Sequence, residues 1–229
     1  MVYRKLSVIV PVYNERDTVA EVLRRARAVE LPVERELIVV DDGSTDGTRN
    51  LLPALQDSKV RVVLHPANRG KTAAIRTGLA HARGDLVLIQ DADLEYDPED
   101  WPRLLTPVLA GRARVVYGSR FTGSRQGMRL WSDVGNRFLT AAANVLYGAR
   151  LTDMETCFKL FDRRLLAGIE LRSDRFGFEP EVTATLLRAG EPIHEVPISY
   201  RGRTRAQGKK IGWRDGVESL AILVRRRFF

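Results

Sequence analysis

The residues best placed to do chemistry are two carboxylates that follow an apolar run. Asp91 and Asp93 flank Ala92, directly after Leu86–Gln90. On extended backbone, residues two apart point to the same side, so the two carboxylates meet, and the small Ala92 lets another group approach. The two negative charges repel each other unless a cation lies between them. Carboxylate oxygens are suitable ligands for a hard divalent metal, and Glu95 is a third donor. A solvated acidic turn at a strand end is the alternative.

A second acidic cluster occupies 41–47. Asp41 and Asp42 precede Gly43 and Ser44, and Asp-Gly-Ser is a favoured turn sequence, so turn chemistry alone explains much of the pattern. The functional interpretation is that Asp41 or Asp42 accepts hydrogen bonds from a nucleotide base or ribose. The Asp91–Asp93 turn, expected at the same edge of the sheet, favours this second interpretation.

Lys71 follows Gly70 and resembles part of a phosphate loop. That motif requires a glycine at position 65, where this sequence has His65, so the phosphate-loop interpretation fails. Lys71 at a helix start can still face a phosphate, or it can simply begin a helix.

Arginine and lysine are concentrated in two glycine-containing stretches, 118–129 and 201–210. Arginine binds oxyanions bidentately, and loops can close over a ligand, so both stretches are candidates for phosphate capture. Solvated loops are the alternative. The single cysteine, Cys157, excludes an intrachain disulfide, and the three histidines show no metal-ligand spacing.

Strands and helices alternate in the first half of the chain. Apolar periodicity predicts strands over Leu6–Val12, Glu36–Val40, Val60–Leu64, Leu86–Gln90 and Arg114–Tyr117, and helices over Asp17–Val29, Thr45–Leu55 and Lys71–Ala82. This order predicts an α/β fold with a mostly parallel central sheet flanked by helices. Ligands bind outside the carboxyl ends of such strands, which selects the segments 11–15, 41–44 and 91–95.

The second half predicts helices over Ser132–Tyr147 and Phe176–Arg188, a strand near Glu195–Tyr200 and a C-terminal amphipathic helix over Trp213–Phe228. Five apolar residues of the last helix share one face, whereas Ile222 and Arg227 depart from it: Trp213, Val217, Leu220, Val224 and Phe228. We expect one catalytic domain over 1–200, with the basic loop and helix of 201–229 packed on it or extending it.

The 229 residues carry a formal net charge of +8, and most of the excess lies at the C-terminus. Residues 201–229 hold nine basic and two acidic side chains, which suggests an anionic partner. The longest apolar stretches fall far short of the roughly 20 residues of a bilayer span, and the N-terminus lacks the features of a signal peptide. We therefore expect an intracellular protein.

Four ordered motifs resemble glycosyltransferase family 2, with the GT-A fold: Val10–Glu15, Val39–Asp46, Asn68–Lys71 and Gln90–Asp93. The continuation is similar to the dolichyl-phosphate mannosyltransferase branch, whose bacterial relatives use polyprenyl phosphate: 117–120, 132–137, 151–153 and 201–210. Glu95 stands where some relatives carry Gln. The Gln-x-x-Arg-Trp signature of processive synthases is absent, which argues against chain elongation.

The resemblance implies a role for each matching residue. The nucleotide would be held by Pro11, Tyr13, Glu15, Asp41, Asp42, Lys71, Asp91 and Ala92. Mg²⁺ or Mn²⁺ would lie among Asp91, Asp93 and Glu95. Acceptor or donor phosphates would bind Arg120, Arg129, Ser132, Arg205 and Lys209, with Lys210 also available. The residues expected to act in catalysis are Asp91, Asp93, Arg120 and Asp153.

The implied reaction is an inverting transfer of a hexose from a nucleotide-diphospho-sugar, of the GDP-mannose or UDP-glucose type, to a polyprenyl or dolichyl phosphate. An anionic acceptor needs no general base; a hydroxyl acceptor, the alternative, needs one, and Asp153 or Glu155 can serve.

The C-terminal helix would lie on an anionic membrane, or pack against the core. The enzyme would then be cytoplasmic and peripheral to the inner face of the membrane.

Two other classes of protein fit the sequence less well. A nucleic-acid binder is suggested by the basic tail, but residues 1–200 are nearly neutral and aromatic residues are not interleaved with the basic loops. A nucleotidyltransferase would carry a glycine-rich, lysine-containing turn after its first strand, where this chain has Pro11–Glu15.

Overall fold

A seven-stranded sheet forms the centre of the computed structural model, which describes residues 2–127, 130–173, 175–203 and 213–229. Its strands are β1 (Lys5–Val12), β2 (Glu34–Asp41), β3 (Val60–Leu64), β4 (Leu86–Ile89), β5 (Val115–Ser119), β7 (Lys159–Asp162) and β8 (His194–Pro197). They lie in the order β3-β2-β1-β4-β7-β5-β8, and β7 alone runs antiparallel to its neighbours. Two short strands, β6 (Arg125–Gln126) and β9 (Tyr200–Arg201), form a separate parallel pair.

Eight α-helices accompany the strands in the described part of the chain. They are α1 (Val19–Ala28), α2 (Thr48–Leu55), α3 (Lys71–His81), α4 (Trp101–Leu109), α5 (Leu130–Tyr147), α6 (Arg163–Leu166), α7 (Phe178–Arg188) and α8 (Trp213–Phe228), with a 3₁₀ turn at Pro98–Asp100. None of the described helices is long and apolar enough to cross a bilayer.

The central strands are covered on both faces. In β1, Leu6, Val8 and Ile9 are fully buried, and all four residues of β4 are as well. Strands buried on both sides show continuous rather than alternating apolar sequence, which is why these runs were readable as parallel strands. The packing brings α3 very close to β1: a Cβ at Gly78 would overlap Ile9.

The predicted α/β architecture with a mostly parallel sheet is confirmed, and the first five predicted strands lie within two residues of the observed bounds. The sequence analysis assigned no element to β7 or α4. The single strand expected near 195–200 is two strands in different sheets. β8 pairs with β5 and β9 pairs with β6, and between them Ser199 N leaves both ladders and donates to Asp100 Oδ2. Thr18 precedes α1 without capping it, since its hydroxyl donates to Glu15 Oε2 instead.

Helix α8 has two apolar faces. Ser219, Ile222 and Leu223 are buried, and Tyr147 of α5 donates a hydrogen bond to Leu223 O. Ile222, which departs from the predicted apolar stripe, therefore belongs to the packed face. Members of that stripe lie in solvent: Val217 is 60%, Val224 40% and Phe228 67% exposed. The domain division at residue 200 stays a prediction.

Candidate functional site

The acidic turn after β4 concentrates like charge in a confined space. Asp93 Oδ1 accepts a hydrogen bond from Glu95 N, and Leu94 between them has φ +61°, a left-handed conformation that is unusual for leucine. Burial, followed by the neighbouring charges of Asp91 and Glu95, raises the pKa of Asp93 to about 7. An added cation would be stabilised here. Ala92 is itself buried, at the base of the turn.

The donor set of this turn fits a hard divalent ion in chemistry. Carboxylate oxygens are the ligands that Mg²⁺ and Mn²⁺ prefer. The described residues contain no group of three Asp, Glu, His or Cys side chains already arranged around an ion position. Each carboxylate of the turn instead has a partner: Asp91 pairs with Lys71, Asp93 with Arg203, and Glu95 accepts from Tyr200.

Asp41, the last residue of β2, presents a buried acceptor. Its side chain is fully buried, and Oδ2 accepts from Ser44 N at 3.2 Å. Its other oxygen, Oδ1, has no hydrogen-bond partner among the described residues. A buried acceptor without a donor is costly, and a donor on a nucleotide base or ribose would satisfy it.

Asp42 is occupied by the protein itself. Its Oδ1 accepts from Arg69 N at 2.9 Å, its Oδ2 accepts from Gly70 N at 2.7 Å, and His65 Nδ1 lies 2.8 Å from Oδ1. Gly43 at φ +74° brings the two loops together so closely that a Cβ would overlap Ala67. Asp42 thus fixes the 67–70 loop against the end of β2.

The residues after β1 complete this edge. Pro11 and Tyr13 are half-buried, and Glu15 receives both terminal nitrogens of Arg203 at 2.8 and 3.1 Å. Because β1, β2 and β4 are parallel neighbours, Glu15, Asp41 and the acidic turn all leave the sheet at one edge. The structure therefore brings these predicted residues together.

Lys71, the first residue of α3, bridges two carboxylates. Its Nζ lies 2.8 Å from Asp91 Oδ1 and 2.8 Å from Glu179 Oε1. Although burial opposes the charge, Asp91 and Glu179 hold the pKa of Lys71 well above its usual value. Lys71 is therefore a fixed positive charge directly behind the acidic turn.

Arg120 and Asp153 form a buried bidentate pair. Arg120 Nε and Nη2 donate to the two Asp153 oxygens at 2.7 Å each, and the Arg120 backbone N donates to Oδ2 at 2.9 Å. Asp153 is fully buried and Arg120 is 6% exposed. The guanidinium lies 5.2 Å from the ring centroid of Tyr200, whose hydroxyl donates to Glu95 Oε2 at 2.7 Å. Tyr200 thereby separates Arg120 from the acidic turn by one aromatic ring.

Two more charged groups lie behind this pair. Lys159 Nζ donates to the carbonyls of Met154 and Thr156, and burial lowers its pKa to about 8. Glu155 Oε1 is buried without a hydrogen-bond partner in the described structure. Burial, followed by the charge of Glu179, raises the pKa of Glu155 to about 7.

Some predicted residues are not joined to the site. Arg129, Arg205, Lys209 and Lys210 lie outside the described residues. Ser132 is half-buried on the first turn of α5 and stays a prediction. Three residues outside the predicted site contact its members: Glu179, Tyr200 and Arg203. Only Arg203 carried a signal, through its place in the basic 201–210 stretch.

Comparison with known proteins finds similar sequences along most of the chain. The family model "Glycosyl transferase family 2" matches residues 7–169. Glycosyltransferase AglJ of Haloferax volcanii is 32% identical over 86% of this chain and 63% of its own length. The undecaprenyl-phosphate 4-deoxy-4-formamido-L-arabinose transferase of Pseudomonas fluorescens strain SBW25 is 34% identical over 89% of this chain and 59% of its own length. The chain thus spans about three fifths of these curated relatives.

A solved structure is similar along almost the whole chain. Glucosyl-3-phosphoglycerate synthase from Mycobacterium tuberculosis, in complex with Mn²⁺, UDP and glucosyl-3-phosphoglycerate, superposes with a TM-score of 0.74 and 26% identity, covering 97% of this chain and 80% of that one. The GT-A fold expected from the motifs is confirmed by this likeness and by the family match. With its motifs, its sheet and a family match over most of its length, this chain belongs to glycosyl transferase family 2.

Proposed function

We propose that this chain transfers a hexose, with inversion, from a nucleotide-diphospho-sugar of the GDP-mannose or UDP-glucose type to a polyprenyl phosphate. One observation carries the proposal: an acidic turn suited to a metal-bound diphosphate and a buried guanidinium suited to an anionic acceptor lie on either side of Tyr200. The transferase of Pseudomonas fluorescens is named for an undecaprenyl-phosphate substrate, which supports the same acceptor class here.

The donor half of the site would bind the nucleotide at the edge of β1, β2 and β4. Asp41 Oδ1 supplies an acceptor for a base or ribose, while Pro11, Tyr13 and Glu15 line the neighbouring strand end, and Asp42 holds the adjoining loop in place. Asp91, Asp93 and Glu95 would hold Mg²⁺ or Mn²⁺, which offsets the charge that develops on the leaving diphosphate. Lys71 keeps Asp91 in position from behind.

The acceptor half contains the buried guanidinium of Arg120. Asp153 uses Nε and Nη2 of Arg120, so the remaining nitrogen, Nη1, lies on the opposite edge of the guanidinium. A phosphate acceptor is already anionic and attacks the anomeric carbon without a general base, so the protein has only to position it. We assign this positioning to Arg120, with Arg129, Ser132, Arg205 and Lys209 as further candidates.

A soluble hydroxyl acceptor is the second candidate, and Glu155 favours it. A hydroxyl needs a proton acceptor, and Glu155 has a buried oxygen without a partner and a pKa near neutrality. Asp153 is less suitable as a base, because both of its oxygens accept from Arg120.

We propose that the chain binds the cytoplasmic face of a membrane, and the exposed face of α8 supports the membrane-binding part of this proposal. Val217, Val224 and Phe228 lie in solvent, with Arg225 and Arg227 beside them. An amphipathic helix with this composition binds the interface of an anionic leaflet. Helix α5 adds a second exposed apolar segment, in which Trp131 is 82% exposed.

The test is transfer of radiolabelled sugar from GDP-mannose, UDP-glucose and UDP-N-acetylglucosamine to a polyprenyl phosphate, with Mn²⁺ or with EDTA. We expect metal-dependent label in the organic phase from one donor. Glu155→Gln should retain this transfer, because no base is required. Metal-dependent release of nucleoside diphosphate without organic-phase label, abolished by Glu155→Gln, would replace the lipid phosphate with a hydroxyl acceptor.

A further inference from the structure

Arg203 places a positive charge inside the acidic site. Its Nη2 lies 3.0 Å from Asp93 Oδ2 and 3.1 Å from Glu15 Oε1, and its Nη1 lies 2.8 Å from Glu15 Oε2. One guanidinium therefore joins the strand end of β1 to the acidic turn after β4. Its Nε is buried and has no hydrogen-bond partner among the described residues.

The backbone around Arg203 fixes this placement. Arg203 N donates to Glu95 Oε1 at 2.6 Å, and Arg201 N donates to Glu95 O at 2.9 Å. Gly202 N donates to Gln126 O, and the pairing of β6 with β9 continues the anchoring. Arg203 is thus held by its own backbone N and by two hydrogen-bonded neighbours, Arg201 and Gly202, as well as by its side chain.

The carboxylates that bind Arg203 overlap with those that would bind a divalent ion. Glu95 receives the Arg203 backbone, Asp93 receives its side chain, and both belong to the proposed ion ligands. A carboxylate oxygen engaged by a guanidinium nitrogen at 3.0 Å has less freedom to coordinate a metal. Since Asp93 repels Asp91 and Glu95, a cation that occupies this space also stabilises the site before any ligand enters.

We propose that Arg203 is a resident counter-ion of the donor site, which competes with the divalent cation for Asp93 and is displaced from it when that cation binds. The proposal rests on the proposed function, since it assumes that the acidic turn is the ion site. Its consequence is a built-in threshold: a guanidinium of charge +1 occupies Asp93 in the free site, and an ion of charge +2 must replace it.

The experiment measures Mn²⁺ binding rather than turnover. Free Mn²⁺ is followed by its electron paramagnetic resonance signal as it is titrated into the full chain, first alone and then with UDP or GDP. Arg203→Gln should bind Mn²⁺ alone at least roughly fivefold more tightly than the wild type, the low end of a competitive coupling between two ligands. Arg203→Lys keeps one charge but cannot span Glu15 and Asp93, and it should fall between the two.

Arg24→Gln is the matched control. It removes the same charge from an exposed arginine that pairs with Glu21 on α1, so Mn²⁺ affinity should stay at the wild-type value. Thermal melting with and without Mn²⁺ provides a folding check, because Arg203→Gln should gain more in Tm from the ion than the wild type does.

Two results would overturn the inference in different ways. If Arg203→Gln binds Mn²⁺ no more tightly than the wild type, while the wild type binds Mn²⁺ with nucleotide, Arg203 does not compete and the proposed function stands. If neither protein binds Mn²⁺ with UDP or with GDP, the acidic turn is not an ion site, and both proposals lose their donor site.

Discussion

At the scale of single residues, the site is built from charges that the fold buries in pairs. Arg120 and Asp153 are almost inaccessible, and each satisfies the other through two side-chain hydrogen bonds. Desolvating two charges costs several kcal/mol for each ion, and only a well-formed pair offsets that cost. Arg120 is therefore held rigidly, as the proposed positioning of an anionic acceptor would require.

Asp153→Asn should therefore be strongly destabilising. The substitution leaves the buried Arg120 charge uncompensated, which costs about 3–5 kcal/mol in the free energy of unfolding, measured by urea denaturation. Glu170→Gln breaks an exposed pair with Arg172 and should cost less than about 1 kcal/mol. The double variant Asp153→Asn with Arg120→Met should recover much of the stability but no transfer activity. A cost below about 1 kcal/mol for Asp153→Asn would contradict this account.

The raised pKa of Glu155 predicts that the free energy of unfolding depends on pH. Its pKa is raised from the ordinary 4.5 to about 7 in the folded chain, where it faces Glu179, Lys159, Arg120 and Asp153. Between these pH values the folded state binds more protons than the unfolded state, so the unfolding free energy falls as pH rises through the window. Lys159, with a pKa of about 8, titrates above that range.

Glu155→Gln removes that titration. The variant should gain stability relative to the wild type as pH rises from 4.5 to 7, by on the order of a few kcal/mol. Urea unfolding at half-unit pH intervals measures the difference, and Glu34→Gln, at an exposed position on β2, controls for loss of a charge. Parallel curves for wild type and Glu155→Gln would mean that the pKa of Glu155 is the same in the folded and unfolded chain.

The sequence predicts where residues lie when they directly follow a strand. Asp41, Asp91 and Asp93 lie at the same edge of the sheet, because β2 and β4 both flank β1 in parallel. Their partners could not be predicted in the same way. Glu179 meets Lys71 from 108 residues away, and nothing local in the sequence encodes that contact.

At the scale of elements, the helix that follows β3 is fixed by one close approach. Gly78 lies in the middle of α3 and faces Ile9 of β1, where any Cβ would overlap a methyl group. A β-branched side chain in a buried strand has little freedom to move. The absence of a side chain at Gly78 therefore sets the distance between α3 and the sheet, and so the position of Lys71 seven residues earlier.

Gly78→Ala should destabilise the protein although alanine is the better helix former. Overpacking costs about 1–3 kcal/mol, which exceeds the roughly 1 kcal/mol that alanine gains over glycine in a helix. Gly216→Ala in α8 is the matched control: among the described residues, no atom outside its own stretch of helix lies within 4 Å of the Cβ position, so it should be neutral or stabilising. Thermal melts of both variants measure the difference. Equal melting temperatures would show that β1 and α3 can separate without cost.

Strands were predictable where their apolar run was unbroken. The runs that form β1, β2 and β4 are continuous and apolar, so they indicated buried parallel strands. Strand β7 has only four residues and carries the fully buried Lys159, a residue type that argues against an interior strand. The structure accommodates it because Lys159 Nζ is satisfied by two carbonyls and lies 4.1 Å from the Tyr117 ring centroid. Tertiary contacts, rather than local sequence, decide such a strand.

At the scale of the whole molecule, charge is distributed unevenly. The formal net charge is +8, and residues 201–229 supply most of it. The exposed apolar residues of α8 occur beside Arg225 and Arg227, in the same helix that packs its other face on α5. The exposed face of α8 would then contribute both burial of apolar side chains and attraction to anionic lipid. A non-specific effect of net charge would contribute only the attraction.

This arrangement predicts salt-sensitive binding to lipid. The chain should sediment with vesicles that contain anionic phospholipid, less with neutral phosphatidylcholine vesicles, and less again as salt screens the charges. Arg225→Gln with Arg227→Gln should weaken binding roughly tenfold or more, because each basic side chain near such a surface contributes about 1 kcal/mol. Arg24→Gln with Arg172→Gln removes two exposed charges elsewhere and should change binding little. Equal losses in the two double variants would reduce the effect to net charge, and the α8 face would then have no specific part in docking.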